Sequence, residues 1–288
     1  ALFASLVIFL TPKVYTVSKC PYNSFMSKKR IKNIPALHSN VTGSGPTVVL
    51  LHGFMSSSRY WAKVTRLIEQ DYKVIAIDLL GFGNSPKPRR SKYDYNAHIA
   101  AIDKALEVND VTEPFILIGH SMGALIALRY SILNESRVQK LVLANMPVMI
   151  GKRELRREIF GSSKINRVGL EYGINRVSWS IFRTLFKLRL LPRQAKEKLR
   201  GNEFFFQHNA TSRVRSFYNV IGSTQVVEDL ARLNVPAQML SGVEDRAIYL
   251  KNLQERIQLS PMIRLFHYKT GHHIPCLMPE RIVDTLRR

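Results

Sequence analysis

One serine sits between two glycines in the stretch Gly119-His120-Ser121-Met122-Gly123, with apolar runs on either side. Phe115 to Ile118 reads as a buried strand and Met122 to Leu133 as a buried helix, so the turn between them has almost no residues to spare. A chain that reverses this sharply strains the residue at its apex and leaves no room for bulk beside it, needs that Gly119 and Gly123 meet. Ser121 is then held proud of the sheet with its hydroxyl exposed. A Ser hydroxyl is a weak nucleophile near neutral pH. It needs a base within hydrogen-bond reach, and the base needs an anion to orient it. Late in the chain, two adjacent histidines, His272 and His273, follow Gly271, and two adjacent acids, Glu244 and Asp245, follow Gly242. A carbonyl attacked by such a serine becomes an oxyanion, and each preset N–H donor that meets it contributes about 3–4 kcal/mol.

These residues can meet only if the elements carrying them end at a common edge. Thr47 to Leu51 is a short β-branched, apolar run that leads into His52-Gly53-Phe54, a buried strand and its loop. Ser56 to Gln70 carries apolar residues at helical spacing after a serine cluster suited to capping. Tyr72 to Ile77 is a second strand, ending at Asp78 and the turn-rich Gly81-Phe-Gly83-Asn-Ser85-Pro86. A helix over 95–109, the 115–118 strand with its helix, and a strand over Val138 to Leu143 follow. Regular alternation of strand and helix means parallel strands with crossover helices. It stops near Met146-Pro147, after which helical patterning runs to about residue 232, and strands return at Val235 to Ser241 and Met262 to Tyr268. The simplest account is a helical insertion between two halves of one sheet. In such a sheet the segments after the strands share the carboxyl edge, where ligands bind. The expected organisation is an N-terminal segment over 1–46, a core over 47–147 and 233–288, and a helical cap over 148–232.

Five motifs in this order resemble the α/β-hydrolase superfamily, in its lipase, esterase and C–C-hydrolase branch: His52-Gly53-Phe54, Asp78 to Ser85, Gly119 to Gly123, Gly242-Val-Glu-Asp245, and Gly271-His272. The resemblance covers roughly residues 47–147 and 233–287. It implies an α/β-hydrolase fold, with a mostly parallel central sheet flanked by helices and an inserted cap (lid) domain. It also implies a triad in the order Ser121 nucleophile, Asp245 orienting acid, His272 base. The Gly-His register favours His272 over His273, and the Gly-x-x-Asp register favours Asp245 over Glu244. The implied oxyanion hole is the backbone N–H of Met122 and of Phe54. His52 and Gly53 order that loop, Asp78 ties down the Gly-Phe-Gly turn, and His120 packs beside the nucleophile. Cys276 reads as an ordinary buried cysteine. One departure is Leu277, which stands where the family's histidine loop often carries an acidic residue before Pro279.

The family's caps set the substrate. Here the cap region offers Trp179, Phe182, Phe186, Leu188, Leu190, Leu191 and the run Phe204-Phe205-Phe206, most of which at helical spacing would form the cap's own core. Those facing a pocket would favour an apolar acyl or alkyl chain. The expected activity is hydrolysis of a carboxylic ester, lipid-like in character, through an acyl-enzyme. The competing readings are C–C hydrolysis of a diketone or ring-cleavage product on the same triad, and a non-catalytic ligand-binding member of the fold. Dehalogenase and epoxide-hydrolase chemistry in the family uses a carboxylate at the elbow, and Ser121 argues against both.

The chain of 288 residues carries 43 Lys and Arg against 21 Asp and Glu, a net charge of +22, with 45% hydrophobic residues. That is globular composition, and the charge invites an anionic partner. Seventeen Lys and Arg against seven Asp and Glu fall in 148–232. No nucleic-acid motif appears, and an anionic membrane surface fits better. Two cysteines, Cys20 and Cys276, make neither a disulfide framework nor a metal site. No metal or organic cofactor is expected. Ala1 to Leu10 is apolar throughout but shorter than the roughly 20 residues a bilayer needs. It reads as the remnant of a signal or anchor, a first apolar strand, or a helix lying on a membrane. The expected location is cytoplasmic or membrane-associated.

Overall fold

The computed structural model describes residues 36–149, 184, 207–245 and 258–287. The chain divides into two units, Ala1–Lys32 and Asn33–Arg288, and the described residues all belong to the second. Elements are numbered along these described residues. The strands are β1 (Ser39–Thr42), β2 (Thr47–Leu51), β3 (Lys73–Ile77), β4 (Phe115–His120), β5 (Val138–Ala144), β6 (Ala237–Gly242) and β7 (Ile263–Tyr268). The α-helices are α1 (Ala62–Ile68), α2 (Tyr95–Val108), α3 (Met122–Leu133), α4 (Ala210–Ser216), α5 (Gln225–Arg232), α6 (Ile274–Leu277) and α7 (Pro279–Arg287).

The seven strands form one sheet in the order β1-β3-β2-β4-β5-β6-β7. Only β1 is antiparallel, pairing Ser39 with Ile77 and Thr42 with Val74, and every other neighbouring pair is parallel. Parallel strands need crossovers that cover both faces, so their sequences are continuous apolar runs with both sides buried. β2 (TVVLL), β3 (KVIAI) and β4 (FILIGH) fit that description. One face packs under α2, α3 and α5 through Ile102, Leu125, Val226 and Leu230. The other packs under α1 and α7 through Trp61, Val64, Ile68, Ile282 and Val283. Helix α3 is buried all round from Met122 to Ser131, as befits a helix without a polar stripe.

The chain goes outward from β2 to β3, then crosses back over β2 to β4. The strand order therefore reverses between β2 and β4, and in open α/β sheets a ligand crevice lies at the carboxyl ends of the strands at such a point. The loop His52-Gly53-Phe54 leaves β2 there, and Ser121 leaves β4.

The expected elements are recovered with shifted ends. The helix expected over Ser56 to Gln70 is a 3₁₀ turn over Ser58–Trp61 followed by the shorter α1. Its serine cluster does not cap it: Ser57 occupies the cap position without a side-chain bond. Asp78 supplies the cap from the end of β3, its Oδ1 accepting from the Ser58 N–H at 2.6 Å. Of the region expected as a cap, residues 150–183 and 185–206 lie outside the described residues, including Trp179, Phe182, Phe186, Leu188, Leu190, Leu191 and Phe204 to Phe206. Within its described end, α4 runs into a wider turn over Phe217–Ile221, and α5 packs on α3. A buried pair joins those two helices, Arg129 Nη1 donating to Asp229 Oδ1 at 2.6 Å. Burial pushes the Asp229 carboxyl up to about 6, against the pull of Arg129. The apolar Ala1 to Leu10 stretch and Cys20 also lie outside the described residues. Among the described residues no helix is long and apolar enough to cross a membrane.

Candidate active site

β4 ends at His120 and α3 begins at Met122, so the reversal is made by Ser121 alone. Its N–H continues the sheet to the Ala144 carbonyl at 2.9 Å, while its carbonyl accepts from Ala124 in the first turn of the helix. One residue can serve both elements only in an uncommon conformation, and Ser121 has φ 52° and ψ −119°. Those are the angles of the first central residue of a type II′ turn, a place glycine normally fills. A side chain held there stores about 1–3 kcal/mol of strain. The close approach also explains the flanking glycines. A Cβ on Gly119 would stand 2.4 Å from the Gly123 carbonyl oxygen, and one on Gly123 would stand 2.4 Å from the carbonyl oxygens of Leu51 and His52.

Asp245 and His272 reach Ser121 from β6 and β7. After β6, the Asp245 N–H closes a tight turn on the Gly242 carbonyl at 3.1 Å. Val243 N and Glu244 N bond to the Tyr268 and Thr270 carbonyls, which zips this turn to the loop after β7. His272 Nδ1 stands 2.6 Å from Asp245 Oδ2, and His272 Nε2 stands 3.0 Å from Ser121 Oγ. A carboxylate only accepts, so Nδ1 carries the proton and Nε2 presents its lone pair to the serine hydroxyl. Ser121 and Asp245 are buried, at 8% and 7% exposure. The His272 side chain is a quarter exposed. The structure separates each expected residue from its neighbour: Glu244 points to solvent beside the buried Asp245. His273 faces Tyr60, its Nδ1 3.3 Å from the phenol oxygen.

The loop after β2 is held by its own histidine. His52 is fully buried, with Nε2 accepting from the Leu79 N–H at 2.9 Å and Nδ1 donating to the Gly53 carbonyl at 2.7 Å. Burial lowers it to about 4, against the attraction of Asp78, so the ring is neutral. Phe54, which follows, lies in an aromatic cluster with Phe82 and Phe217, at ring separations of 6.0 and 5.8 Å. Asp78 ties the neighbouring loop through Oδ2, which accepts from the Asn84 N–H at 2.7 Å. Burial would raise Asp78, yet the Ser58 and Asn84 N–H groups outweigh it and hold the carboxyl below its ordinary value. Gly83, at φ 52°, lies so close that a Cβ would meet the Asp78 carboxylate at 2.3 Å.

His120 lies behind the serine, stacked on Tyr60 with ring centroids 4.5 Å apart and planes 24° from parallel. Burial, then the neighbouring His272, pushes its pKa well below the ordinary value. Its Nε2 donates to the His272 carbonyl at 2.7 Å. Gly53 passes close to the same ring, where a Cβ would stand 2.9 Å from Nδ1. Cys276 is a partly exposed free thiol on α6, its Sγ 3.7 Å from the Tyr60 carbonyl. Among the described residues, no group of His, Cys, Asp and Glu is arranged to hold a metal ion.

Two residues that sequence reasoning missed complete the surroundings. Tyr60 bridges His120 and His273. Asn145, the first residue after β5, is fully buried with φ 49°. Its Nδ2 donates to Asp245 Oδ2 at 3.0 Å and to the Gly271 carbonyl at 3.3 Å, and its Oδ1 accepts from the Ile274 N–H at 3.3 Å. The available signal was its position: a polar residue directly after a strand that ends at the same edge as Ser121.

The fold that carries this site is shared with known proteins. The family model described as "alpha/beta hydrolase fold" matches residues 46–164. A probable lysophospholipase of Arabidopsis thaliana, BODYGUARD 4, is 27% identical over 248 residues, 76% of this chain and 57% of that protein. The chain thus spans little more than half the length of that relative. An esterase from a Rhodococcus species is 25% identical, with a TM-score of 0.64 over 87% of this chain and 93% of that one. A bromoperoxidase from Bacillus anthracis is 20% identical, with a TM-score of 0.67 over 87% of this chain and 94% of that one. With the sheet order and the sharp turn at Ser121, these matches show that the chain has the α/β-hydrolase fold.

Proposed function

We propose that this protein is a serine hydrolase that cleaves a carboxylic ester of lipid-like character through an acyl-enzyme. The observation that carries the proposal is the continuous line Ser121 Oγ, His272 Nε2, His272 Nδ1, Asp245 Oδ2, with links of 3.0 and 2.6 Å. His272 removes the hydroxyl proton as Ser121 attacks the ester carbonyl, and Asp245 stabilises the imidazolium that forms. The backbone N–H groups of Met122 and Phe54 receive the oxyanion. Collapse expels the alcohol, which takes the proton from His272. Water then attacks the acyl-enzyme with His272 again as base, releasing the acid and freeing Ser121.

The lipid-like character rests on the Arabidopsis relative, described as a probable lysophospholipase, and on the apolar cluster of Phe54, Phe82 and Phe217 next to the loop that would hold the oxyanion. The net charge of +22 extends the proposal to work at an anionic membrane surface, with a helical insertion acting as a cap over the site and the protein lying in the cytoplasm or on a membrane. Binding to anionic but not zwitterionic vesicles at low salt, lost at high salt, supports that extension; equal binding to both overturns it. The central test is hydrolysis of a p-nitrophenyl ester series of increasing chain length by the wild type and by Ser121→Ala. Activity lost at least about a thousandfold in the variant is the expected result. Wild-type turnover that survives the substitution, or no labelling of Ser121 by a fluorophosphonate, overturns the proposal.

A further inference from the structure

The proposed triad draws on three strands, and something must hold the three loops in register. His272 belongs to a loop after β7, and Asp245 to a turn after β6. Neither strand carries Ser121, which stands on β4. Between β4 and β6 lies β5, and the residue that leaves β5 at the same edge is Asn145.

We infer that Asn145 is a positioning residue of this site, one that fixes the Asp245 carboxylate and the His272 loop in a single arrangement. The inference rests on the reading of Ser121, His272 and Asp245 given above. Three observations carry it. First, Asn145 Nδ2 donates to Oδ2 of Asp245, the oxygen that also faces His272 Nδ1. A donor on that oxygen stabilises the ionised carboxylate and fixes the direction of its lone pairs. Second, the side chain holds the His272 loop on both sides of the histidine, at the Gly271 carbonyl and at the Ile274 N–H. The His272 carbonyl between them is held by His120. Third, Asn145 pays a backbone cost to be there. Its φ is 49°, in the left-handed region that asparagine tolerates better than most residues. An asparagine amide supplies two donor hydrogens and an acceptor, and here both ends are engaged by the two loops. Aspartate would have the shape without the donors, and serine or alanine would not reach.

Two variants separate positioning from folding. Asn145→Gly removes all three bonds while tolerating the positive φ. Asn145→Asp keeps the shape and the bond from Ile274, but sets a second carboxylate against Asp245. Each is assayed well below its own unfolding temperature. In Asn145→Gly, kcat falls about 10–100-fold with KM changed less than about threefold, because a shift of about 1 Å in a reacting group costs on this order. The acid limb of its pH profile moves to higher pH, since a carboxylate with one donor fewer favours the imidazolium. In Asn145→Asp the loss deepens as pH rises and the second carboxylate ionises. A folded Asn145→Gly with wild-type kcat and an unmoved acid limb overturns the inference. So does an Asn145→Asp that matches the wild type at alkaline pH.

A second readout does not need turnover. The Nδ1 proton of His272, shared with Asp245, gives a far-downfield proton resonance, assigned by its disappearance in His272→Gln. Its loss or broadening in Asn145→Gly supports the inference even if the wild type hydrolyses no ester, a result that would sink only the proposed activity. An unchanged resonance overturns it.

Discussion

The backbone of Ser121 makes a stability prediction that runs against the usual order of residues. At φ 52° and ψ −119°, any residue with a Cβ is strained by about 1–3 kcal/mol, and glycine is not. Ser121→Ala removes the hydroxyl and keeps the strain. Ser121→Gly removes both. Loss of the bond to His272 is common to the two variants and cancels in their difference. Glycine loses about 0.5–1 kcal/mol relative to alanine through the entropy of its unfolded chain. The difference leaves Ser121→Gly more stable than Ser121→Ala by up to about 2.5 kcal/mol. In a domain of this size that is up to about 5 °C in unfolding temperature. The assay is urea unfolding followed by fluorescence, in which the fully buried Trp61 reports, paired with thermal scans at matched rates. A control in the adjoining helix, Ala124→Gly, should lose about 1 kcal/mol. The reasoning is refuted if Ser121→Gly is less stable than Ser121→Ala by the full cost of glycine, about 0.5–1 kcal/mol, since the turn would then store no strain. Both variants should be inactive on esters.

Two further outcomes follow from buried titratable groups. His98 is fully buried and burial lowers it to about 3 from its ordinary 6.5. Below pH 6.5 the unfolded chain therefore binds a proton that the folded chain does not, and stability falls as pH falls. His98→Phe should recover about 2 kcal/mol of the wild type's loss between pH 6.5 and 5, read from urea midpoints; an unchanged slope would contradict the buried neutral ring. Arg129→Met leaves the carboxylate of Asp229 buried beside an apolar chain and should cost about 3–5 kcal/mol near neutral pH. Burial already raises Asp229 to about 6 with Arg129 in place, and loss of Arg129 raises it further, so the cost should shrink as pH falls toward about 6 and level off below that. Adding Asp229→Leu should restore part of the loss at neutral pH, and a double variant no better than the single one counts against this account.

The parts of the site legible in the sequence are those that motif and period determine locally. Gly119 and Gly123 are dictated by the turn they flank, and Ser121 follows from them. Asp78 was legible as a loop anchor because its partner Asn84 is six residues away. Its second task, capping the turn at Ser58 from another strand, was not, because it depends on β3 ending beside the start of that turn. Asn145 was invisible for the same reason at greater range. Its partners lie 100, 126 and 129 residues away, and nothing in Asn-Met-Pro announces them. His272 and Asp245 were separated from their neighbours His273 and Glu244 only by register within a resembling family. The structure supplies the physical difference: His272 meets Ser121 and Asp245 meets His272, while His273 faces Tyr60 and Glu244 is exposed.

The spacing of the proposed triad along the chain has a consequence for how the site is assembled. Ser121 and His272 lie 151 residues apart. At synthesis rates of about 5–20 residues per second, the elbow exists for about 8–30 s before its histidine is made. During that interval the nascent sheet can complete β2, β3 and β4 and hold a strained serine with no base to deprotonate it. Pairing of β7 onto β6 brings His272 toward Ser121, so the last strand to be made also completes the proposed triad. On the proposed mechanism, a growing chain holds its nucleophile without a base until β7 is made.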